Sequence, residues 1–316
     1  MLKHLGYWIL RRVLKYSAPA LRFLGNKNME IYSREKNTFQ PVFIVGPPRS
    51  GSTILYQLIT NYLDVLYVDN LMNMSREAPL FGAWLSNKMY GDSSHNSFES
   101  NHGKTLKSGL HAPNEGLFWY NWLPKDTHYV SKGQIDKKSV REMQDIVYSM
   151  MNRYEKPMVF KNLSFSMRLE FLKEVFPQAK IIYIKRDPIF VAQSLYIARK
   201  KAGAPINDVW GIIPKEKDIL KGFSEIEMVV KQIWFINKQI NNDLKLFPKE
   251  QIMLLNYEDM VNLPQLLSLL KDFTKSNDRK NIDIPNLKIS NKQMLESNVY
   301  DMLNKEIAKL DWEYYN

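Results

Sequence analysis

One stretch limits the possible folds of this chain more than any other: PVFIVGPPRSGSTILYQLITN, residues 41–61. Val42, Phe43, Ile44 and Val45 form a short apolar run rich in β-branched residues, the pattern of a buried parallel strand. Gly46, Pro47 and Pro48 break it, and Gly51 supplies a residue that takes positive φ at no steric cost. From Ser52 onward Ile54, Leu55, Leu58, Ile59 and Leu63 recur at helical spacing. Strand, tight basic loop and helix N-terminus turn backbone N–H groups and the positive end of a helix dipole toward one point. Such a point binds anions, phosphate above all.

The spacing invites comparison with the nucleoside-triphosphate loop G-x-x-x-x-G-K-[ST]. Gly46, Gly51 and Thr53 fit, but Ser52 stands at the lysine position, and the cation has moved to Arg49. The loop keeps the cradle and relocates the charge, which points to a different phosphate-bearing donor.

Further along, KIIYIK at 180–185 reads as a strand, closed by Arg186. Asp187 is an N-cap and Pro188 suits the first helical position. Residues 157–160 and 252–255 read as two more strands, and helices are expected over 136–155, 166–176, 224–246 and 266–273. Ser224 with Glu227 has the capping-box pattern. Residues 64–130 show little periodicity but many aromatics, and 200–222 form a basic loop punctuated by Gly and Pro. Strands alternating with helices predict a parallel, doubly wound sheet with ligands at the strands' carboxyl ends. Arg49 and Arg186 both lie just beyond such ends, placed to grip two ends of one anionic ligand.

Length and composition narrow the classes. The chain has 316 residues, 45% of them hydrophobic and 24% charged, as in globular proteins. It has no cysteine, so disulfides, thiol nucleophiles and thiolate metal sites are excluded, and a reducing, cytoplasmic setting fits. The five histidines show no metal-ligand spacing. Net charge is +11, and residues 1–36 hold eight Lys or Arg against Glu30 and Glu35. Within 2–24 an amphipathic helix is expected, interrupted or kinked at Pro19, with Leu2, Leu5, Ile9, Val13 and Tyr16 on one face. Arg11, Arg12 and Lys15 take the other face and keep the apolar run well short of the roughly 20 residues a bilayer span needs. The helix packs on the domain or lies on a membrane surface. No nucleic-acid signature accompanies the charge.

PPRSGST, followed by LKEVFPQAKIIYIKRDPIFVAQSLY and then LLNYEDMVNLP, resembles the sulfotransferases that use 3′-phosphoadenosine 5′-phosphosulfate. The likeness covers most of 41–270. It implies a P-loop-like three-layer fold, a central parallel sheet flanked by helices. The first loop is then the 5′-phosphosulfate site: Arg49, Ser50, Gly51, Ser52 and Thr53. An Arg at a later strand end and a Ser eight residues on bind the 3′-phosphate, a spacing shown by Arg186 and Ser194. In this family the donor is a co-substrate and no metal is needed. Arg49 stands where many members carry Lys, and Ser52 where many carry Thr; charge and hydroxyl are kept. Lys161 is placed to reach the sulfonyl oxygens, or is a solvated strand-end lysine.

The acceptor hydroxyl needs a general base. Glu115, in HAPNEGLFW, resembles the acceptor-site acid of several bacterial members, with His111 and Asp69 as competitors. The expected organisation is a basic segment 1–36 and a single sulfotransferase domain 37–316, with 64–130 as an acceptor-binding insert. The aromatics of that insert are expected to line an acceptor pocket or to be plain core. The expected acceptor is a small molecule or lipid, a lipophilic alcohol such as a sterol, or else a saccharide, which Asn70, Asn73, Asn114 and Asn121 would suit. Peripheral membrane contact is expected and nucleic acid is not; the oligomeric state is left open. The rival readings are a P-loop kinase or NTPase with an altered lysine, and a basic membrane- or nucleic-acid-binding module.

Overall fold

A computed structural model describes residues 2–32, 38–101, 103–106, 108–279 and 290–312. Four strands form a parallel sheet: β1 (Val42–Val45), β4 (Val159–Phe160), β5 (Lys180–Lys185) and β6 (Ile252–Asn256), in the order β4-β1-β5-β6. β1 pairs with both β4 and β5, with Val42 opposite Val159 and Lys180. Two residue pairs, Ser100–Asn101 (β2) and Lys104–Thr105 (β3), make a small antiparallel ribbon. Beyond β4 the segment around Leu66 runs parallel to the sheet edge, bridging to Met158.

Because successive side chains on a strand point to opposite faces, β1 feeds two cores. Phe43 and Val45, with Ile181 and Tyr183 of β5, meet helices α6 (Lys137–Tyr154), α7 (Leu169–Val175) and the far half of α10 (Glu225–Leu244). Val42 and Ile44, with Ile182 and Ile184, meet α3 (Ser52–Tyr62) and α11 (Leu263–Thr274). Helices cover both faces, so a central strand must be apolar throughout, as VFIV is. β6 lies at an edge, and its Leu254 is exposed. A third cluster joins α8 (Pro188–Lys201), the near half of α10, and α12 (Ser297–Ala308).

Helix starts follow their caps. Asp187 accepts the Ile189 N–H at 3.0 Å with Pro188 in the first turn. Ser224 and Glu227 close a reciprocal capping box on α10. Three regions differ from the sequence expectation. Residues 2–24 form not one helix but the start of two, α1 (Leu2–Tyr16) and α2 (Ala18–Tyr32). Pro19 falls in the first turn of α2, where its missing N–H costs no hydrogen bond, so it opens a helix rather than ending one. The segment 64–130 contains α4 (Asn70–Met74) and α5 (Pro79–Tyr90), and a short α9 (Lys217–Leu220) interrupts the basic loop. α2 packs on α5 and α6. The side chains of Leu2 and Leu5, and the expected boundary at 36/37, lie outside the described residues. No helix among those described is long and apolar enough to cross a membrane.

Candidate functional site

The loop after β1 is held from behind. Ser166, in the turn that follows β4, accepts the Gly46 N–H at 3.0 Å and donates its hydroxyl to the Gly46 carbonyl at 2.9 Å. Space allows only glycine at two points. A Cβ on Gly46 would lie 2.6 Å from the Ile184 carbonyl oxygen. A Cβ on Gly51, at φ +98°, would lie 2.4 Å from the Tyr257 ring. Arg49 also takes positive φ (71°), unusual for a residue with a side chain, and this aims the loop across the sheet's carboxyl end. α3 then begins at Ser52, with its free N–H groups facing the loop.

A cavity of about 590 Å³ opens there, within the range of small-molecule sites. Arg49, Gly51, Ser52 and Thr53 reach it from the first loop, Lys161 from the end of β4, and Arg186 and Ser194 from the end of β5 and α8. Ser50 is fully buried behind the loop, and its hydroxyl has no partner among the described residues. The cations are knitted together. Arg49 Nε donates to Ser194 Oγ at 2.9 Å, and Arg186 Nη1 donates to the Arg49 carbonyl at 3.1 Å. The Arg186 guanidinium also lies 4.2 Å over the Tyr257 ring. Burial lowers the pKa of Arg49, Arg186 and Lys161, since desolvation disfavours the charged form; for Lys161 the nearby Glu115 opposes this. Three partly desolvated cations around one hollow favour a multiply charged anion.

Several wall residues gave no signal in the sequence. Ser290 and Met294 line the cavity from a segment outside any expected motif. It is tied down by Arg186, which donates to the Ser290 carbonyl at 2.6 Å and Asn291 Oδ1 at 3.1 Å, and by Gln193, which donates to the Lys292 carbonyl at 2.9 Å. Trp210, Gly211 and Ile212 form another wall, from the expected basic loop. Buried Arg199 fixes that loop through the carbonyls of Pro205, Ile206 and Asp208, and Gln232 through those of Trp210 and Ile212. Tyr257, Glu258 and Asp259 serve as packing and caps: Asp259 accepts the Asn256 N–H and Glu258 accepts from Asn291.

The three candidate bases fall elsewhere. Glu115 is buried; Trp119 Nε1 donates to it at 3.2 Å, and the Lys161 N–H and the Tyr56 hydroxyl donate to it as well. Burial pushes its pKa up to about 7 against those donors. Asp69 caps α4, accepting from the Met72 N–H at 2.8 Å and from Ser86, and burial pushes it too up to about 7. His111 stacks on Tyr90 with ring centres 4.2 Å apart, and burial lowers its pKa to about 4, with Arg279 adding to the effect. Asp69 and His111 line a second, smaller hollow along the sheet edge with Tyr67 and Arg279. Glu115 alone connects to the larger cavity, through Lys161.

Of the insert's aromatics, Tyr67, Phe118 and Trp119 are buried, Trp84 is exposed, and Tyr67 and Tyr90 line the smaller hollow. Phe118 and Trp119 are fully buried and pack edge-to-face near Phe160 and Phe165. None of the insert's aromatics lines the larger cavity, whose aromatic walls are Phe190, Trp210 and Tyr257. The insert's asparagines are spent on its own loops: Asn114 donates to Asn70 Oδ1, Asn73 accepts the Leu117 N–H, and Asn121 donates to the Arg76 carbonyl. Among the described residues no group of three or more His, Asp or Glu is placed to hold a metal ion.

Two curated proteins named omega-hydroxy-beta-dihydromenaquinone-9 sulfotransferase Stf3, from Mycobacterium bovis and Mycobacterium tuberculosis, are each 25% identical over 242 residues. That alignment covers 71% of this chain and 60% of the relative, so the chain spans only part of their length. Among solved structures, sulfotransferase STF1 from Mycobacterium tuberculosis H37Rv aligns over 97% of this chain and 87% of its own, at 14% identity and a TM-score of 0.49. A sulfotransferase from Alicyclobacillus acidocaldarius aligns over 85% and 92%, at 12% identity and a TM-score of 0.46. The sulfotransferase family itself matches residues 41–267, a span that takes in the whole parallel sheet and its three cationic strand ends, and the chain belongs to that family.

Proposed function

We propose that this chain transfers a sulfonyl group from 3′-phosphoadenosine 5′-phosphosulfate to the hydroxyl of a lipophilic alcohol. The convergence of Arg49, Lys161 and Arg186 from three neighbouring strand ends on one cavity carries this reading. In it, the N–H groups of residues 50–53 and the hydroxyls of Ser52 and Thr53 hold the 5′-phosphate. Arg186 and Ser194 hold the 3′-phosphate. A serine hydroxyl both donates and accepts, so Ser194 keeps its bond from Arg49 while donating to phosphate. Lys161 faces the sulfonyl oxygens.

The acceptor oxygen attacks sulfur; a new O–S bond forms as the bond from sulfur to the bridging oxygen breaks. Its electron pair stays on the departing 5′-phosphate, where Arg49 neutralises the growing charge. The acceptor proton passes to Glu115, whose pKa near 7 suits a base at neutral pH. A lipophilic acceptor is supported by the apolar walls Leu163, Ile197, Trp210 and Ile212 and by the lipid quinone in the names of the Stf3 relatives.

The test is ligand-dependent melting. 3′-Phosphoadenosine 5′-phosphate, the product nucleotide, should raise the melting temperature while ATP with Mg²⁺ does not. Incubation with donor and a panel of lipid alcohols and sugars, followed by mass spectrometry, should show one added sulfonate on a lipid alcohol. A shift with ATP and none with the product nucleotide would sink the reading.

A further inference from the structure

The first helix carries apolar surface that the other described residues leave exposed. On α1, Trp8, Ile9, Val13 and Tyr16 are between 48% and 78% exposed, and on α2 Phe23 and Leu24 are 63% and 55% exposed. At 100° per residue Ile9, Val13 and Tyr16 fall on one stripe of α1. Leu14, on the opposite side, is buried, and the main packing of α1 is against α2. The helix therefore has a face that holds it to the protein and a second apolar face directed at solvent. From Ile9 to Tyr16 that second face runs for about 10 Å.

Charge selects what covers it. Residues 1–29 contain no Asp or Glu and six Lys or Arg. Arg11, Arg12, Lys15, Arg22 and Lys27 are exposed, and among the described residues none of them is paired with a carboxylate. Arg12 sits 3.9 Å over the Trp8 ring, beside the stripe rather than within it. A second copy of this chain would bring two such positive segments together and be repelled. Nucleic acid would satisfy the cations but leave the Ile9–Val13–Tyr16 stripe in water. An anionic bilayer surface answers both: apolar side chains enter the acyl boundary, aromatic rings sit at headgroup level, and the cations meet lipid phosphates.

We infer that α1, with the adjoining exposed part of α2, is a docking surface for anionic phospholipid membranes. The inference stands apart from the sulfonyl-transfer reading, because binding to lipid is measured with neither donor nor acceptor present. If both hold, the enzyme meets a membrane-dissolved alcohol at the surface where that alcohol is concentrated.

The full chain is tested by co-sedimentation with vesicles of phosphatidylcholine alone and with about 30% phosphatidylglycerol, at about 0.1 M salt. The wild type should prefer the anionic vesicles about tenfold or more, and the preference should collapse at about 0.5 M salt. Arg11→Glu/Arg12→Glu/Lys15→Glu should reduce that binding more than tenfold. Ile9→Ser/Val13→Ser should weaken it at least threefold while the charge is unchanged. Melting temperature without ligand serves as the fold control for each variant. Equal binding to both vesicle types, salt-insensitive binding by the wild type, or full binding by the charge-reversed chain overturns the inference. So does a concentration-dependent dimer that Ile9→Ser/Val13→Ser abolishes, or binding to duplex DNA that exceeds binding to anionic vesicles.

Discussion

Replacing Arg186 with alanine separates donor binding from chemistry. In the free protein its guanidinium donates to the Arg49 carbonyl at 3.1 Å, to the Ser290 carbonyl at 2.6 Å and to Asn291 Oδ1, and stacks on Tyr257. Truncation removes the guanidinium from all three acceptors and loosens the 290–294 wall. The expected stability loss is about 1–3 kcal/mol, or a few degrees in melting temperature for a chain of this size. Toward the donor, one charge-assisted contact to phosphate is lost, about 1.5–3 kcal/mol, which is roughly a 10- to 150-fold rise in Kd for the product nucleotide by calorimetry. The 3′-phosphate stays remote from the breaking S–O bond, so the contact acts alike on ground and transition states. Turnover at saturating donor should stay within about threefold of wild type. Asn291→Ala isolates the indirect part, since it loosens the wall but leaves the guanidinium; its Kd should rise less than about threefold. A variant Arg186→Ala that binds the nucleotide normally yet turns over slowly at saturation would refute the assignment. Equal losses for Arg186→Ala and Asn291→Ala would instead place the effect in the wall.

Arg49→Ala should behave in the opposite sense, with kcat down about a hundredfold or more, because leaving-group charge develops only in the transition state; a larger effect on Kd than on kcat would count against it. Glu115→Gln should remove most activity and spare nucleotide binding; normal turnover would pass the base to Asp69 or His111, tested by Asp69→Asn and His111→Ala. The same variant has a stability signature. With its pKa raised to about 7 by burial, folded Glu115 holds a proton that the unfolded chain releases above its ordinary 4.5, so stability falls as pH rises through that window. Melting curves from about pH 4 to 8 should flatten in Glu115→Gln, while the separate contribution of Asp69 persists. Gly51→Ala should lower the melting temperature by several degrees, since its Cβ meets the Tyr257 ring at 2.4 Å and φ is +98°; an unchanged melting temperature would mean that the loop and ring are not in contact.

Much of this was local enough to read from the chain. A central parallel strand is buried on both faces, so VFIV and KIIYIK announce themselves as unbroken apolar runs. The loop GPPRSGST declares its turn through Gly51 and its charge through Arg49, and Arg186, Asp187 and Pro188 mark a strand end and a helix start by short-range chemistry. The likeness of PPRSGST, IIYIKRDPIFVAQSLY and LLNYEDMVNLP to the sulfotransferases pointed to the family that matches 41–267. The two helices of 2–32 were half legible, because Pro19 reads equally as a break or as a first-turn residue until the chain on both sides is seen.

The rest depends on contacts between residues far apart in sequence, which no local pattern encodes. Ser166 clamps Gly46 across 120 positions, and Asn291 meets Arg186 across 105. The three candidate bases look alike as sequence, each a titratable residue near an irregular segment. Folding alone gave Glu115 three donors at the end of β4 and sent Asp69 and His111 to a different hollow. The exposure of Ile9, Val13 and Tyr16 was likewise open, since an amphipathic helix is equally content against a core or a membrane. Its partner is decided by which surface the rest of the fold leaves free, because apolar burial is non-directional and only tertiary packing says which face is already satisfied.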